Sequence, residues 1–360
     1  MAPLKILYIG PDYRGSNATC WRDALAELGH SVSTLNTDSF IPAPSSWFNR
    51  AQRKYFGRPA WSALRRFNHA ILSRVHALKP RLVFHAQARF VLPDTLREIG
   101  RTCPNFAYFN DDMFNPCNQD PWFLKSLPWI HCSLTTKSYN VPEFLAAGAP
   151  WAVFLPNAYD PRIHHPVTPS AEELRRFRGD LAFIGTFRPE RADFLAALAS
   201  PRLGWTLNVW GGGWDKMGRP IYWLRRKRWN SLSQRVRGTE LWGEEMAAAF
   251  ASNKICLGLL YRANRDLHTS RTFEIPACGG FMLAERTAEH RLYFEEDREA
   301  AYYSSIEELR DKVYYYLNHD GERLRIAQAG HRRCLRSAYR YADRAAVAME
   351  HFKKITGEKR

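Results

Sequence analysis

Short apolar runs closed by glycine or proline alternate with amphipathic stretches along the whole chain. Residues 5–9 form such a run, ended by Gly10-Pro11. A helical pattern follows over 17–28 and stops at Gly29, and 31–35 reads as the next strand. Strand, glycine turn, helix, glycine and strand make a βαβ opening, which predicts a parallel sheet. Further strands are expected at 81–86, 106–110, 132–136 and 152–155, and a long basic helical stretch precedes the first of these. Residues 156–166, with Pro156, Pro161 and Pro166, read as a linker. The alternation then restarts, with strands at 181–184, 207–210, 255–260 and 281–284. Helices are expected at 191–199 and 244–251, through Glu274, and at 306–317, 322–334 and 342–354. The pattern predicts an α/β fold of two Rossmann-like domains, 1–160 and 161–339, with no sequence repeat between them.

A chain of 360 residues suits two domains of this size, and a 45% hydrophobic content gives each a core. No run reaches the ~18 uncharged apolar residues needed to span a bilayer. The first ten residues read as a buried strand rather than a signal peptide. Seven scattered cysteines, none in a CxxC pair, suit reduced thiols and a cytoplasmic setting rather than a disulfide or zinc framework. The net charge of +16 implies anionic partners: nucleic acid, lipid headgroups or phosphorylated substrates.

Residues 264–285, NRDLHTSRTFEIPACGGFMLAE, concentrate the candidate chemistry. They follow the 255–260 strand, so His268, Thr269, Ser270 and Arg271 fall where a loop becomes a helix. A helix start offers free N–H groups and a partial positive charge to an anion, and Arg271 adds a guanidinium. Glu274 lies about one turn further in, where a carboxylate can accept from ribose hydroxyls. A plain cap is the commoner use of Ser or Thr at this place. Pro276 should kink or confine the helix. At the end of the 106–110 strand stand Asp111 and Asp112, where open α/β sheets bind ligands.

RTFEIPACGGFMLAE resembles the signature of the CgeB-like, spore-maturation-type glycosyltransferases, within the GT-B transferases. FNDD at 109–112, LPNAYDPRIHHP at 155–166, with Ala158 where Gly is usual, and DLAFIGTFRPER at 180–191 agree with that family in the same order. The resemblance covers most of the chain beyond about residue 105 and implies a GT-B fold. Two Rossmann-like domains would face a cleft, and the C-terminal helix (340–360) would return to the first. The first domain would bind the acceptor and the second the donor, a nucleoside-diphosphate sugar. Gly185 would be the close-approach glycine, with Arg191 on the donor diphosphate and His268, Thr269 and Ser270 beside it. Arg271 would be a second phosphate or leaving-group contact and Glu274 the ribose carboxylate. Glu274 is the second member of an E-x7-E pattern whose first position is here Asp266. Asp111, Asp112 or Asp12 would serve as base if the reaction inverts, and none is required if it retains, which the Glu274 neighbourhood favours. The fold implies no metal and no other cofactor, because cationic side chains stabilise the departing diphosphate.

Two stretches mix cations with aromatics: Arg50 to Lys79, with Trp47, Phe48, Tyr55, Phe56, Trp61 and Phe67, and Arg219 to Arg237, with Tyr222, Trp223 and Trp229. Such mixtures suit the interface of an anionic membrane near a glycan or lipid-linked acceptor. They also suit single-stranded nucleic acid, or a solvated basic face with its aromatics turned inward. A nucleic-acid-binding protein has no use for the Arg191, Arg271 and Glu274 set, which argues for the transferase. A degenerate transferase kept as a structural protein remains the third reading.

Overall fold

The computed structural model describes residues 2–13, 15–41 and 57–358. The chain divides into two compact units, Met1–Pro156 with Tyr341–Arg360, and Asn157–Arg340. The first unit holds β1 (Lys5–Gly10), β2 (Ser31–Asn36), β3 (Leu82–Ala86), β4 (Asn105–Phe109), β5 (Cys132–Thr135) and β6 (Ala152–Phe154). They form one parallel sheet in the order β2-β1-β3-β4-β5-β6. β3, β4 and β5 are buried at every position, as strands covered by helices on both faces must be. One covering helix is Asn17–Glu27, where the Ser16 hydroxyl accepts from Ala18 N and the inner face carries Trp21, Ala24 and Leu25.

The last helix, Tyr341–Thr356, belongs to this first unit. It buries Ala345, Ala348, Met349 and Phe352, a helical spacing. Tyr341 packs edge-on against Trp21, Phe352 lies 6.3 Å from Phe106, and Trp151 Nε1 donates to His351 Nδ1 at 3.1 Å. The expected return of the C-terminal helix to the first unit is therefore present.

The second unit holds β7 (Gly179–Ile184), β8 (Leu207–Trp210), β9 (Val236–Gly238), β10 (Asn253–Gly258), β11 (Met282–Glu285) and β12 (Ala301–Tyr303). Its parallel sheet runs β12-β11-β10-β7-β8-β9. β7 and β10 are central neighbours, and the chain winds away from them in opposite directions. This is a topological switch point, where the diverging loops leave a crevice at the carboxyl ends of the two strands.

The 156–166 segment, expected as a linker, has a defined place in the fold. From Asn157 onward it is packed into the second unit, which moves the division to 156/157. Tyr159 N donates to Tyr339 O at 3.1 Å and its hydroxyl to Cys334 O, and Ala158 is fully buried. Pro276 is accommodated because its helix, Arg271–Ala277, ends one residue later. Only a bond of the last turn is lost, and Gly280 N closes the end by donating to Ile275 O.

None of the seven cysteines forms a disulfide, and six are buried. Among the described residues no helix is long and apolar enough to cross a membrane, and no group of three or more His, Cys, Asp or Glu is placed to hold a metal ion. Of the first basic and aromatic stretch, Trp47, Phe48, Arg50, Arg53, Lys54, Tyr55 and Phe56 lie outside the described residues, as does Arg14. Its described part is mainly the Trp61–Leu78 helix, which turns Leu64, Phe67 and Ile71 inward and leaves Arg65, Arg66 and Arg74 exposed.

Candidate functional site

The loops that leave β7 and β10 at the switch point carry most of the expected donor-site residues. Gly185 follows β7 directly. Its N–H donates to Trp210 O at 2.9 Å, and its carbonyl accepts from Trp214 Nε1 at 3.0 Å. The neighbouring chain passes so close that a Cβ on Gly211, at φ +141°, would lie 2.0 Å from Gly185 O, so only glycine fits there. Trp214 is buried with its edge toward Phe183 and Phe187. It is a packing residue, not an exposed stacking platform.

Arg191 sits in the first turn of the Pro189–Leu198 helix. It reaches across the switch point to the loop after β10: Nε donates to Leu260 O at 3.2 Å, and Nη1 to Thr186 O, in the loop after β7, at 3.2 Å. Both acceptors are neutral carbonyls, so its charge is not cancelled by a direct ion pair among the described residues. Burial pulls its pKa down to about 10. Asp266 and Glu285 oppose that shift, and the like charges of Arg188 and Arg271 add to it. Arg191 thus stays protonated at neutral pH in a place where cations crowd together. Arg188 lies with its guanidinium 4.2 Å from the centre of the Tyr261 ring.

Arg271 opens the helix that follows β10 and is tied to β7, with Nε donating to Ile184 O at 2.9 Å. It also pairs with Glu274, one turn on. Glu274 is 3% exposed, and its second oxygen lies 3.6 Å from His164 Nε2. His164 comes from the segment expected to be a linker. Burial lowers its pKa despite the neighbouring Glu274 carboxylate, and its Nδ1 accepts from Asp160 N at 3.0 Å. Asp266 Oδ2 accepts from Tyr261 N and Glu285 Oε1 from Leu260 N, which fixes the loop leaving β10.

The expected anion cradle at 268–271 takes a different form. Ser270 stands at the cap position without a side-chain cap bond, and Thr269 N is already bound by the Thr272 hydroxyl. The helix has seven residues, so its dipole contributes little. The cationic groups of the site are Arg188, Arg191 and Arg271. His268 is fully buried: Nδ1 meets a Glu289 oxygen at 2.5 Å and Nε2 accepts from Asn157 N at 3.0 Å. With both ring nitrogens engaged inside the fold, His268 fastens the 157–166 segment to the site rather than facing an incoming molecule.

Asp112 lies in the other unit and is 1% exposed. Its carboxylate accepts from Phe114 N at 3.1 Å and Asn140 Nδ2 at 3.0 Å. These bonds turn the carboxylate into the interior of the first unit. The adjacent Asp111 has an open side. It lines a small pocket within the first unit, with Gln87, Arg89, Asn118, Asp120 and Phe123. The pocket rim is held by Phe90 N donating to Asp120 Oδ2 at 2.7 Å, and burial raises the Asp120 pKa. Asp12 is on the surface, paired with Arg22 at 2.7 Å.

Arg188, Glu285, His164 and Glu289 join the site without having been expected there. Arg188 is legible in hindsight as the residue three before Arg191, across one helical turn. The others come together through tertiary structure.

A glycosyl transferase-like family model matches residues 188–350. A search of curated proteins gives no match. Among solved structures, the chain is similar to sucrose-phosphate synthase from Thermosynechococcus elongatus, with a TM-score of 0.70 and 12% identity over 99% of this chain and 100% of that one. It is similar to HepE from Anabaena in complex with UDP-glucose, with a TM-score of 0.64 and 12% identity over 98% of this chain and 100% of that one. An α-glucosyltransferase in complex with UDP-glucose and DNA gives 0.65 and 13% identity over 99% and 100%. At these identities the likeness is one of fold, and the fold is that of GT-B glycosyltransferases.

Proposed function

We propose that the chain is a glycosyltransferase of the CgeB-like group that takes a nucleoside-diphosphate sugar as donor. The observation that carries this reading is the meeting of Arg188, Arg191 and Arg271 at the β7/β10 switch point, with Arg191 bonded only to neutral carbonyls. A pyrophosphate placed there gains two charge-assisted, fork-like partners without first breaking an ion pair to Arg191. Glu274 holds Arg271 with one oxygen and offers its remaining lone pairs to ribose hydroxyls. UDP-glucose and UDP are bound by structural neighbours, which makes a uridine nucleotide the first donor class to try.

The reaction breaks the bond between the anomeric carbon and the diphosphate oxygen and forms a new one to an acceptor hydroxyl oxygen. The negative charge that develops on the departing diphosphate is what the arginines stabilise, with no metal needed. In the retaining course, which we favour, the leaving phosphate oxygen takes the acceptor proton. A protein base is then not required, in keeping with the enclosure of Asp112. If the reaction inverts, Asp111 is the better placed of the two adjacent carboxylates. The acceptor, a glycan, lipid-linked or small-molecule hydroxyl, is assigned to the first unit and its Asp111-lined pocket.

The test is release of nucleoside diphosphate from a panel of UDP-, GDP-, dTDP- and ADP-sugars, in EDTA, with hydroxylated acceptors. The reading predicts release from one nucleotide class, undiminished by EDTA and abolished in Arg191→Ala. Binding without release, for every donor and acceptor, would leave a transferase-like binding protein instead.

A further inference from the structure

The second basic stretch ends in a surface feature that the donor site does not explain. Between Gly218 and Trp229 the chain makes two short helical turns and then the Arg226–Ser233 helix. Ile221, Trp223 and Leu224 stand on these turns 79%, 66% and 75% exposed. Large apolar side chains this open are rarely grouped on a soluble surface unless they meet something. Around them Lys216, Arg219, Arg225, Arg226, Lys227 and Arg228 are also exposed, and no Asp or Glu occurs between Lys216 and Gly238.

The feature is braced from below. Tyr222 rests on Phe187 and Trp229, with ring centres 5.8 and 5.4 Å away, and Trp229 is buried with Nε1 donating to Asp193 Oδ1 at 2.9 Å. Arg225 pairs with the same Asp193 at 2.8 Å. The alternation is therefore set by packing: Tyr222 and Trp229 turn inward and leave Ile221, Trp223 and Leu224 no inward position.

We propose that this braced tip docks the second unit onto the surface of an anionic lipid bilayer. Anionic headgroups complement the ring of cations, and the acyl boundary beneath them receives the three apolar side chains. Trp223 suits the interface itself, where an amphipathic ring can rest. Single-stranded nucleic acid satisfies the cations and can stack on Trp223, but it leaves Ile221 and Leu224 in water. The apolar pair thus decides for the bilayer. The proposal rests on no feature of the donor site and stands or falls independently of it.

The experiment is co-sedimentation of the full chain with vesicles of phosphatidylcholine alone and of phosphatidylcholine mixed equally with phosphatidylglycerol, at low and raised salt. Wild type should bind the anionic vesicles, and more weakly as salt rises. Joint replacement Ile221→Ser, Trp223→Ser and Leu224→Ser should weaken binding by about tenfold or more. Arg226→Gln with Lys227→Gln should weaken it and reduce its salt dependence. All these side chains are exposed, so melting temperature should hold in each variant. No binding of wild type to anionic vesicles would overturn the proposal. Full binding by the triple serine variant would overturn it equally. So would tight binding of a single-stranded oligonucleotide that the triple serine change leaves intact while vesicles bind no better than in its absence.

Discussion

Arg271 Nε donates to the main-chain oxygen of Ile184, a residue 87 positions earlier, at 2.9 Å. This bond joins the end of β7 to the start of the helix after β10. It therefore holds the guanidinium at the switch point. Arg271→Ala removes a charge-assisted partner of the donor diphosphate and should lower donor affinity by roughly 10- to 100-fold. Arg271→Lys keeps the charge but loses the fork, and should fall between the two. Calorimetric titration with the donor nucleotide measures both.

Arg191 is expected to act more on turnover than on binding. Its hydrogen bonds go to neutral carbonyls, in the cationic neighbourhood where the leaving group would develop its own charge. Arg191→Ala should reduce kcat by about 100- to 1000-fold, with a much smaller change in KM. Steady-state kinetics separate the two parameters. An effect confined to KM would mean that Arg191 serves the ground state only.

The fold was largely legible from the chain, because many of its strands are short, mainly apolar runs, and several, such as β1, β7 and β8, are closed by glycine. The 207–210 strand and the 244–251 helix have the expected bounds. The Ala171–Phe177 helix was not expected, although Ser170 and Glu173 spell the capping box that begins it. β9 and β12 have only three residues each, too few to show a period. In the site, Arg191, Arg271 and Glu274 could be read from position and resemblance. His164 and Glu289 could not, because what makes them relevant is contact with Glu274 and His268 across the fold. Nor could the burial of Asp112: two adjacent carboxylates look alike in sequence, and only packing shows which one turns inward.

Glu289 and His268 form an enclosed pair that holds Asn157, and through it the 157–166 segment, against the site. Removing one partner of such a pair leaves a buried polar group unmatched. Glu289→Ala should therefore destabilise the second unit by roughly 3 kcal/mol. Urea unfolding provides the measurement. Donor affinity should fall as well, since His164 rides on the same segment and borders Glu274.

His85, on β3, is fully buried with neither ring nitrogen hydrogen-bonded, and burial lowers its pKa to about 3. The folded pKa is depressed, so the unfolded chain takes up the proton first. The stability due to neutral His85 is full above pH ~6.5 and is lost as pH falls toward 3. At pH ~5 the loss is about 2 kcal/mol. His85→Leu should flatten the pH dependence of stability by that amount, comparing urea unfolding at pH ~7 and pH ~5.

The central claim is that the β7/β10 crevice of the second unit binds a nucleoside diphosphate through its arginines. The most direct measurement is a thermal-shift titration of wild type and Arg271→Ala with UDP, GDP, dTDP, ADP and CMP, with and without magnesium. At about 100 times Kd, a ligand should stabilise the wild type by roughly 2.7 kcal/mol, a shift of a few degrees. The account predicts such a shift for one nucleoside diphosphate, independent of magnesium and clearly smaller in Arg271→Ala at the same ligand concentration. No shift with any nucleotide, or an equal shift in the variant, would contradict it.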